Sequence, residues 1–552
     1  MTGRFASPRK KIRKAARASR DKRPKLRTEA PTWPRVAAWV LAGVTMLTVL
    51  VARIRLLNLP LERDEGEYAY IGQLMLKGFP PYQAASNMKL PGTSAAYALI
   101  MAILGQTPFG IHLGYLLVNA ITVWLVYKLT KRLFDQYAAL ASASAYAILS
   151  FGLPVLGNAA HATHFVVLPA LAATLLLDCW DQSRRNLFLF LSGLLYGAAF
   201  LAKQPGLAFA AFGGLCLLLR LRQGWNNPRA VAALAIFISG VLLPYALLVT
   251  LLWKLGVFAN FWFWTVTYGA QYASMVSWPV AWQLFKATLS PILGANPGIW
   301  LLAAAGLIFL WWKPELRSRA ILLTVLLLIS FLAVCPGLYF RRHYFVLLLP
   351  AISLLTGAAV WGLYRRSALL ASCLLATGFL WSVVLQKDYL FDFNPANAPH
   401  RIYGGNPFPE AIPIADYIAS HTKPNSPIAV LGSEPEIYFY AKRPSATGYI
   451  YIYGLMEPHP YALRMQNEMI RDIEAARPEY IVFVNIAPSW LIRETSPRRL
   501  DEWWSQYQRN YQPDGIAEII NADQTVYRWG ADAVGYTPKS NLFILLLKRI
   551  SS

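Results

Sequence analysis

The densest group of side chains able to do chemistry lies at residues 61–92, LERDEGEYAYIGQLMLKGFPPYQAASNMKLPG. It holds Asp64, Glu65, Glu67, Tyr82 and Lys89, directly after the first long apolar segment. Acidic residues are scarce in the apolar part of the chain, so a carboxylate pair at this boundary is either a solvated loop or a site. Other polar residues recur where apolar segments begin or end. They are His112, His161 and His164 in GNAAHATHF, Lys203 in LAKQPGL, and Arg341, Arg342 and His343 in YFRRHYF. Singly, each has a plain structural explanation. Arg341 and Arg342 can snorkel to headgroups, His112 can be a hydrogen-bonded core residue, and Lys203 before Pro205 can mark a helix end. Glu67 can be solvated or paired with a nearby base. His161 and His164 have the i,i+3 spacing of a helical metal pair, but two imidazoles without a third ligand nearby make a weak site, and no metal is expected.

Jointly, carboxylates and several cations on one membrane face suit an anionic lipid and a hydroxyl. Glycosyl transfer from a polyprenyl-phosphate sugar has those needs. The phosphate is already a good leaving group, so it needs cations for its developing charge and no general acid. The acceptor hydroxyl needs one carboxylate base in line with the anomeric carbon. A single displacement inverts that centre. The chain has neither a P-loop nor a Rossmann glycine fingerprint, and this chemistry requires neither.

The elements that must position these groups are membrane helices. Of 552 residues, 56% are hydrophobic and 14% charged, which excludes an ordinary soluble protein. Spans of ~20 apolar residues give about eleven candidates. These are 36–57, 110–127, 137–156, 164–180, 187–203, 205–221, 230–252, 298–312, 320–338, 343–364 and 367–386. The net charge is +24, and basic residues crowd the first 27 positions. That tail, residues 1–35, reads as a cytoplasmic lipid-facing segment before a signal anchor, with no nucleic-acid partner expected. Further basic clusters stand at alternate segment ends: Lys128 to Arg132, Arg184 and Arg185, Arg220 to Arg229, Lys313 to Arg319, and Arg365 and Arg366. Placing all of them in the cytoplasm gives one topology, N-terminus in and C-terminus out. It requires that 93–106 not span, so this short apolar stretch is expected as a juxtamembrane or re-entrant helix. It also puts 61–92, every basic residue named in the first paragraph, and the aromatic-rich stretch 254–297 on the outer side. That stretch suits an interfacial belt or a lipid-lined portal.

After Gln386 the apolar runs shorten and helical and strand patterns alternate, as in a small α/β domain over 387–552. Helices are expected at 409–422, 434–440, 461–476 and 497–511, and strands at 428–431, 449–453, 480–484, 516–520, 524–529 and 541–548. The four cysteines lie in or beside apolar segments without C-x-x-C spacing, so no disulfide framework is expected.

The run RDEGEYAYIGQLMLKGFPPYQ…KLPG resembles the first outer loop of GT-C class membrane glycosyltransferases. It is most similar to the family 39-like group of protein O-mannosyltransferases and aminoarabinose–lipid A transferases. LAKQPGL and RRHYFVLLLPAISLLTG resemble family motifs too. The resemblance covers about 36–386 and implies a polytopic GT-C transmembrane domain with a catalytic outer loop at 58–109. It implies that Asp64 is the base and Glu65 its acidic partner. Lys89 would contact the lipid phosphate, with Arg341, Arg342 and His343 nearby and Tyr82, His112, His161, His164 and Lys203 as lining candidates. Two departures stand out: Leu90 replaces the usual first Pro of the K-P-P-G pattern, and HATHF replaces a turn that often carries Asp. The implied donor is a polyprenyl-phosphate-linked sugar, and the acceptor a glycan, lipid or protein at the plasma or inner membrane. The rival readings are a multi-span transporter or flippase, which internal repeats and charges inside the spans would favour, and a membrane-anchored binding module acting through 387–552.

Overall fold

The computed structural model describes residues 33–221, 228–395 and 398–550. The basic tail expected at 1–35 lies outside them, apart from the backbone of the first helical turn. The helical part contains α1 (Trp33–Arg55), α2 (Arg63–Leu76), α3 (Gly92–Leu104), α4 (Pro108–Leu133) and α5 (Gln136–Phe151). It continues through α6 (Ala162–Ser183), α7 (Asn186–Ala202), α8 (Leu207–Leu221), α9 (Pro228–Lys254) and α10 (Trp278–Ala295). It closes with α11 (Pro297–Trp312), α12 (Arg317–Val334), α13 (Leu349–Tyr364) and α14 (Ala368–Leu385). Each apolar segment expected to span forms a helix, because a backbone in lipid must satisfy its hydrogen bonds within the segment. Among the described residues, 8 helices are long and apolar enough to cross a membrane, or up to 9 if α10 and α11, bent by 97°, count as one span. α5 and α7 are shorter, at 16 and 17 residues. The stretch expected not to span is the 13-residue α3.

Side-chain caps set several helix starts. Thr107 accepts from the Gly110 amide ahead of Pro108, and Asp135 accepts from the amides of Tyr137 and Ala138. The basic clusters gather at one end of the bundle. Arg132 and Arg220 both reach Asp178, Arg184 and Arg220 reach Asp181, and Arg319 and Arg365 both lie over the Trp361 ring. His112 and Arg132 sit near opposite ends of α4, ~30 Å apart at helical rise. The basic end and the His112 end are thus a membrane thickness apart.

The C-terminal part is built on a five-stranded sheet in the order β1-β2-β5-β3-β4. The strands are β1 (Ile428–Leu431), β2 (Tyr480–Asn485), β3 (Tyr511–Asn521), β4 (Gln524–Trp529) and β5 (Phe543–Arg549). β1 and β2 are parallel, and the other pairs are antiparallel. Four helices stand where they are expected: α15 (Ala411–His421), α16 (Glu436–Ala441), α17 (Ala462–Ala476) and α18 (Arg499–Tyr507). The strand expected at 449–453 does not form. There the amides of Tyr449 and Ile452 bond to the side chains of Thr447 and Ser433 in place of a neighbouring strand. Cys179, Cys216, Cys335 and Cys373 are free cysteines.

The sheet part is seated on α2. A Cβ at Gly66 would lie 2.6 Å from the Glu436 amide nitrogen, so only glycine lets α2 and α16 approach this closely. Beside it, Arg63 is buried and donates to Ser433 O, Tyr453 Oη, Asn406 Oδ1 and Glu434 Oε1. Tyr440 accepts from the Leu61 amide, and Tyr70 accepts from that of Ser445. The aromatic stretch 254–297 divides by role. Trp278 and Trp282 are exposed on the helix surface, whereas Tyr268 is buried and donates to Glu457 of the sheet part. Trp264 and Phe263 meet Tyr449 and Tyr461 edge-on.

Candidate active site

The site is built around the first turn of α2. Glu62 Oε1 accepts from the Glu65 amide at 3.0 Å, and Glu65 Oε2 accepts from the Glu62 amide at 3.3 Å. This reciprocal cap starts the helix and places Asp64 at its N-terminus, where the helix dipole favours a carboxylate. Asp64 Oδ1 accepts from Lys89 Nζ at 2.8 Å. Its other oxygen, Oδ2, lies 3.8 Å from His343 Nε2 and 3.9 Å from His161 Nδ1. Lys89 also donates to Glu67, one turn along α2, and its ammonium sits 4.6 Å from the centre of the Tyr68 ring. Of the two readings the sequence leaves for Glu67, solvated or paired with a nearby base, the structure has the second: it is a direct partner of Lys89.

The loop that delivers Lys89 is held by its own polar groups. Asn87 Oδ1 accepts from the Lys89 amide at 2.8 Å, and the Tyr82 hydroxyl donates to the Lys89 carbonyl at 2.9 Å. Tyr82 adopts φ 68°, the left-handed region, and its ring meets Phe261 edge-on. Tyr82 thus positions Lys89 by its hydroxyl.

Glu65 is buried and occupied. It accepts from the Ala160 amide at 2.6 Å and pairs with His112 Nε2 at 3.0 Å, while His112 Nδ1 lies 2.9 Å from the Leu57 carbonyl. Its oxygens therefore join α2, α4 and the turn before α6, and do not open toward a substrate. Arg342 departs from the expected phosphate contact. Its guanidinium donates to the carbonyls of Pro154 and Leu153, which staples that turn to the start of the tenth expected span. Arg341 is exposed and lies over the Tyr339 ring at 5.4 Å. Lys203 is buried, 4.0 Å from the centre of the Tyr344 ring, and forms no ion pair among the described residues.

The two histidines of HATHF separate. His164 Nε2 meets the Tyr115 hydroxyl at 3.0 Å. His161 is not paired with it on a helix; it is the residue that precedes α6. Its ring stacks on His343, centroids 4.1 Å apart and planes at 17°. Among the described residues neither ring nitrogen of His161 has a hydrogen-bond partner, although the residue is 1% exposed.

Electrostatics follow from this packing. Burial opposes ionisation of Asp64, but Lys89, then His343 and His161, hold its carboxyl well below the usual range. Burial works against the Lys89 charge, and Asp64 and Glu67 outweigh it, so Lys89 stays an ammonium. Glu67 is pushed up by burial despite that lysine, and Glu62 is pushed well up by burial and by Asp64 and Glu65. Burial lowers Lys203 to about 7, with Asp64 opposing, and lowers His161 to about 4. The cluster therefore presents Asp64 as an ionised carboxylate, Lys89 as an ammonium, and Lys203 with its pKa lowered to about 7. Glu62 and Tyr344 also belong to the cluster, beyond the residues singled out in the sequence. Glu62 stands three residues before Glu65, the spacing of a capping box, and that spacing is its signal in the sequence. Tyr344 carried none.

Comparison with known proteins finds similarity to membrane glycosyltransferases. Residues 89–253 match the family described as dolichyl-phosphate-mannose-protein mannosyltransferase. The undecaprenyl phosphate-alpha-4-amino-4-deoxy-L-arabinose arabinosyl transferases of Pseudomonas paraeruginosa and Pseudomonas aeruginosa are 33% identical over 226 residues, 36% of this chain. The matched stretch spans 38% of the length of those relatives. The crystal structure of ArnT from Cupriavidus metallidurans bound to undecaprenyl phosphate aligns with TM-score 0.55 and 15% identity, covering 85% of this chain and 97% of that one. Its apo form aligns with TM-score 0.51 and 16% identity, covering 81% and 93%. The GT-C resemblance read from the first loop is borne out, and so is the fold of a polytopic helical membrane protein with a C-terminal strand-containing domain.

Proposed function

We propose that this GT-C-fold chain is a glycosyltransferase that moves a sugar from a polyprenyl-phosphate donor to an acceptor hydroxyl, with inversion. The observation that carries the reading is Asp64, kept ionised at the mouth of α2 with Oδ2 free of any short hydrogen bond and cations beside it. Asp64 accepts the acceptor proton as the hydroxyl oxygen attacks the anomeric carbon. The bond from that carbon to the phosphate oxygen breaks, and the electron pair leaves on the phosphate. Lys89, Lys203 and Arg341 stabilise that charge. Lys89 shares its ammonium between Asp64 and the phosphate, Lys203 becomes charged when an anion approaches, and Arg341 stands at the exposed rim. Glu65 and His112 position the helix start, and Arg342 positions the turn at 153–154. His343 and His161 line the carboxylate.

The donor class is supported by the names of the relatives, which place undecaprenyl phosphate and an aminopentose on related chains. The acceptor is a glycan, lipid or protein hydroxyl. The gathering of Arg132, Arg184, Arg220, Arg319 and Arg365 at one end supports a cytoplasmic placement of that end, with the site and the C-terminal domain on the opposite, extracytoplasmic face. In this reading the chain divides into a transmembrane domain at 36–386, its catalytic loop at 58–109, and an outer domain at 387–552.

The test is Asp64→Asn in detergent-solubilised protein given a lipid-linked sugar. Transfer should fall by about 10²- to 10⁴-fold while expression and membrane insertion stay intact. Full activity in that variant overturns the assignment. Turnover without a sealed vesicle also separates transfer from transport, which needs a compartment.

A further inference from the structure

We propose that Tyr451, carried to the site by the sheet part, is a substrate-contacting residue whose hydroxyl donates a hydrogen bond to the phosphate of the polyprenyl-phosphate donor. The proposal rests on the transfer reading above and gives the sheet part a direct role at the reacting centre.

The segment expected as a strand at 449–453 instead crosses the loop that delivers Lys89. The Gly448 carbonyl accepts from the Ser86 amide at 2.8 Å, three residues before Lys89. Tyr453 Oη accepts from Arg63 Nη1 at 2.8 Å, one residue before Asp64. Tyr451 thus lies between an anchor on the lysine loop and an anchor on the start of α2. Its neighbours Ile450 and Ile452 turn into the core of the sheet part, and Tyr451 between them is left half-buried. Its ring meets that of Tyr453 edge-on, with centroids 4.7 Å apart. Its phenol faces Lys89 and Asp64 at the base of the site and Arg341 at the rim.

Arg341 faces four phenols, those of Tyr272, Tyr344, Tyr451 and Tyr453. Three are committed. Tyr272 and Tyr344 bond to each other, while Tyr453 holds Arg63 and donates to the Pro488 carbonyl. The Tyr451 hydroxyl alone of the four has no hydrogen-bond partner among the described residues. Burial pushes this hydroxyl well above its ordinary pKa, so it holds its proton and serves as a donor. A donor without an acceptor, set between an ammonium and a guanidinium, is matched by an oxyanion. A phosphate reaching from Arg341 to Lys89 passes beside it. Negative charge moves onto the phosphate as its bond to the anomeric carbon breaks, so this hydrogen bond is stronger in the transition state than in the bound donor.

The experiment compares the purified full chain with Tyr451→Phe in detergent. Phenylalanine removes a hydroxyl that bonds to nothing in the chain and keeps the ring, so the Tm should not change. Undecaprenyl phosphate alone, titrated by calorimetry, should bind the variant about 10- to 100-fold more weakly, the worth of one hydrogen bond to a charged group. With a lipid-linked sugar, whose phosphate carries less charge, KM should rise less than that, and kcat should fall by about 10-fold. Tyr451→His, which returns an N–H donor, should recover part of the loss. Unchanged affinity and kcat in Tyr451→Phe overturn the proposal, as does a loss accompanied by an equally clear fall in Tm, which marks a structural role. Unmutated protein that binds undecaprenyl phosphate but transfers no sugar refutes the transfer reading and leaves the phosphate contact standing. Unmutated protein that does not bind undecaprenyl phosphate refutes both.

Discussion

Arg63→Met isolates the clamp between α2 and the sheet part. In the native chain the guanidinium meets Glu434 at 2.8 Å, with side-chain exposures of 9% and 0%. At an effective dielectric of ~20, the Coulomb attraction at that distance is about 6 kcal/mol before desolvation. Methionine keeps most of the volume but leaves Glu434 buried with Ser489 as its remaining side-chain donor. Breaking one side of a buried pair costs about 3–5 kcal/mol. For a cooperative unit of 150–250 residues, 1 kcal/mol moves Tm by about 2–4 °C, so the expected fall is ~6–20 °C. Scanning fluorimetry in detergent reads it through the tryptophans of the sheet part. The control is Arg63→Met with Glu434→Gln. Removing the stranded charge should restore more than half of the lost Tm, because the cost lies in the unpaired carboxylate. A single variant within a degree of the unmutated protein, or a double variant as unstable as the single one, refutes the clamp.

Other outcomes follow from the same geometry. Gly66→Ala drives a methyl group into the Glu436 backbone and should lower Tm by an amount corresponding to about 1–3 kcal/mol, with earlier proteolysis between the two parts. Arg342→Ala should lower thermal stability and leave donor affinity unchanged, whereas Arg341→Ala should do the reverse; donor-lipid titrations and melts of both variants check this. Lys203 sits near 7 in the free protein, so at pH 8 it is mostly neutral, and an approaching phosphate raises it. Binding of undecaprenyl phosphate at pH 8 should therefore take up a proton, seen by calorimetry in two buffers of different ionisation enthalpy. The uptake should shrink toward pH 6, where Lys203 is already charged, and should disappear in Lys203→Gln. An unchanged uptake in that variant removes Lys203 from the phosphate.

The helices were legible because lipid imposes one rule on every backbone group, and the apolar runs obey it. The basic tail and the later basic clusters, placed together on one side, predicted that α3 would not span, and the structure brings Arg132, Arg184 and Arg220 of those clusters to one end. Most of the small domain was equally readable, since β1 and β5 are continuous apolar runs and α17 alternates with helical period. The strand expected at 449–453 failed for a reason the pattern does not contain: nearby Ser and Thr side chains compete for its amides. Within the site, residue type located the cluster but not each residue's partners. Glu65 and Asp64 are neighbours in sequence, yet helical geometry turns one into the core against His112 and leaves the other at the mouth. Arg341 and Arg342 divide in the same way, one at the rim and one bound to carbonyls. The meeting of His161 with His343 joins positions far apart in the chain, and no spacing rule announces it.

The seating of the sheet part on α2 limits how this protein can be recombined. Composition changes after Gln386, which invites a chimera joined there, with the C-terminal domain exchanged between relatives. Such a junction would separate Arg63, Gly66 and Tyr70 from the surfaces they fit: Glu434, Glu436 and Ser445. The exchangeable module is discontinuous. It comprises the C-terminal domain together with the face of α2 beneath it, and the next residue on that helix after Arg63 is Asp64. Transplanting the sheet part without its matching helix face would therefore disturb the setting of Asp64 itself.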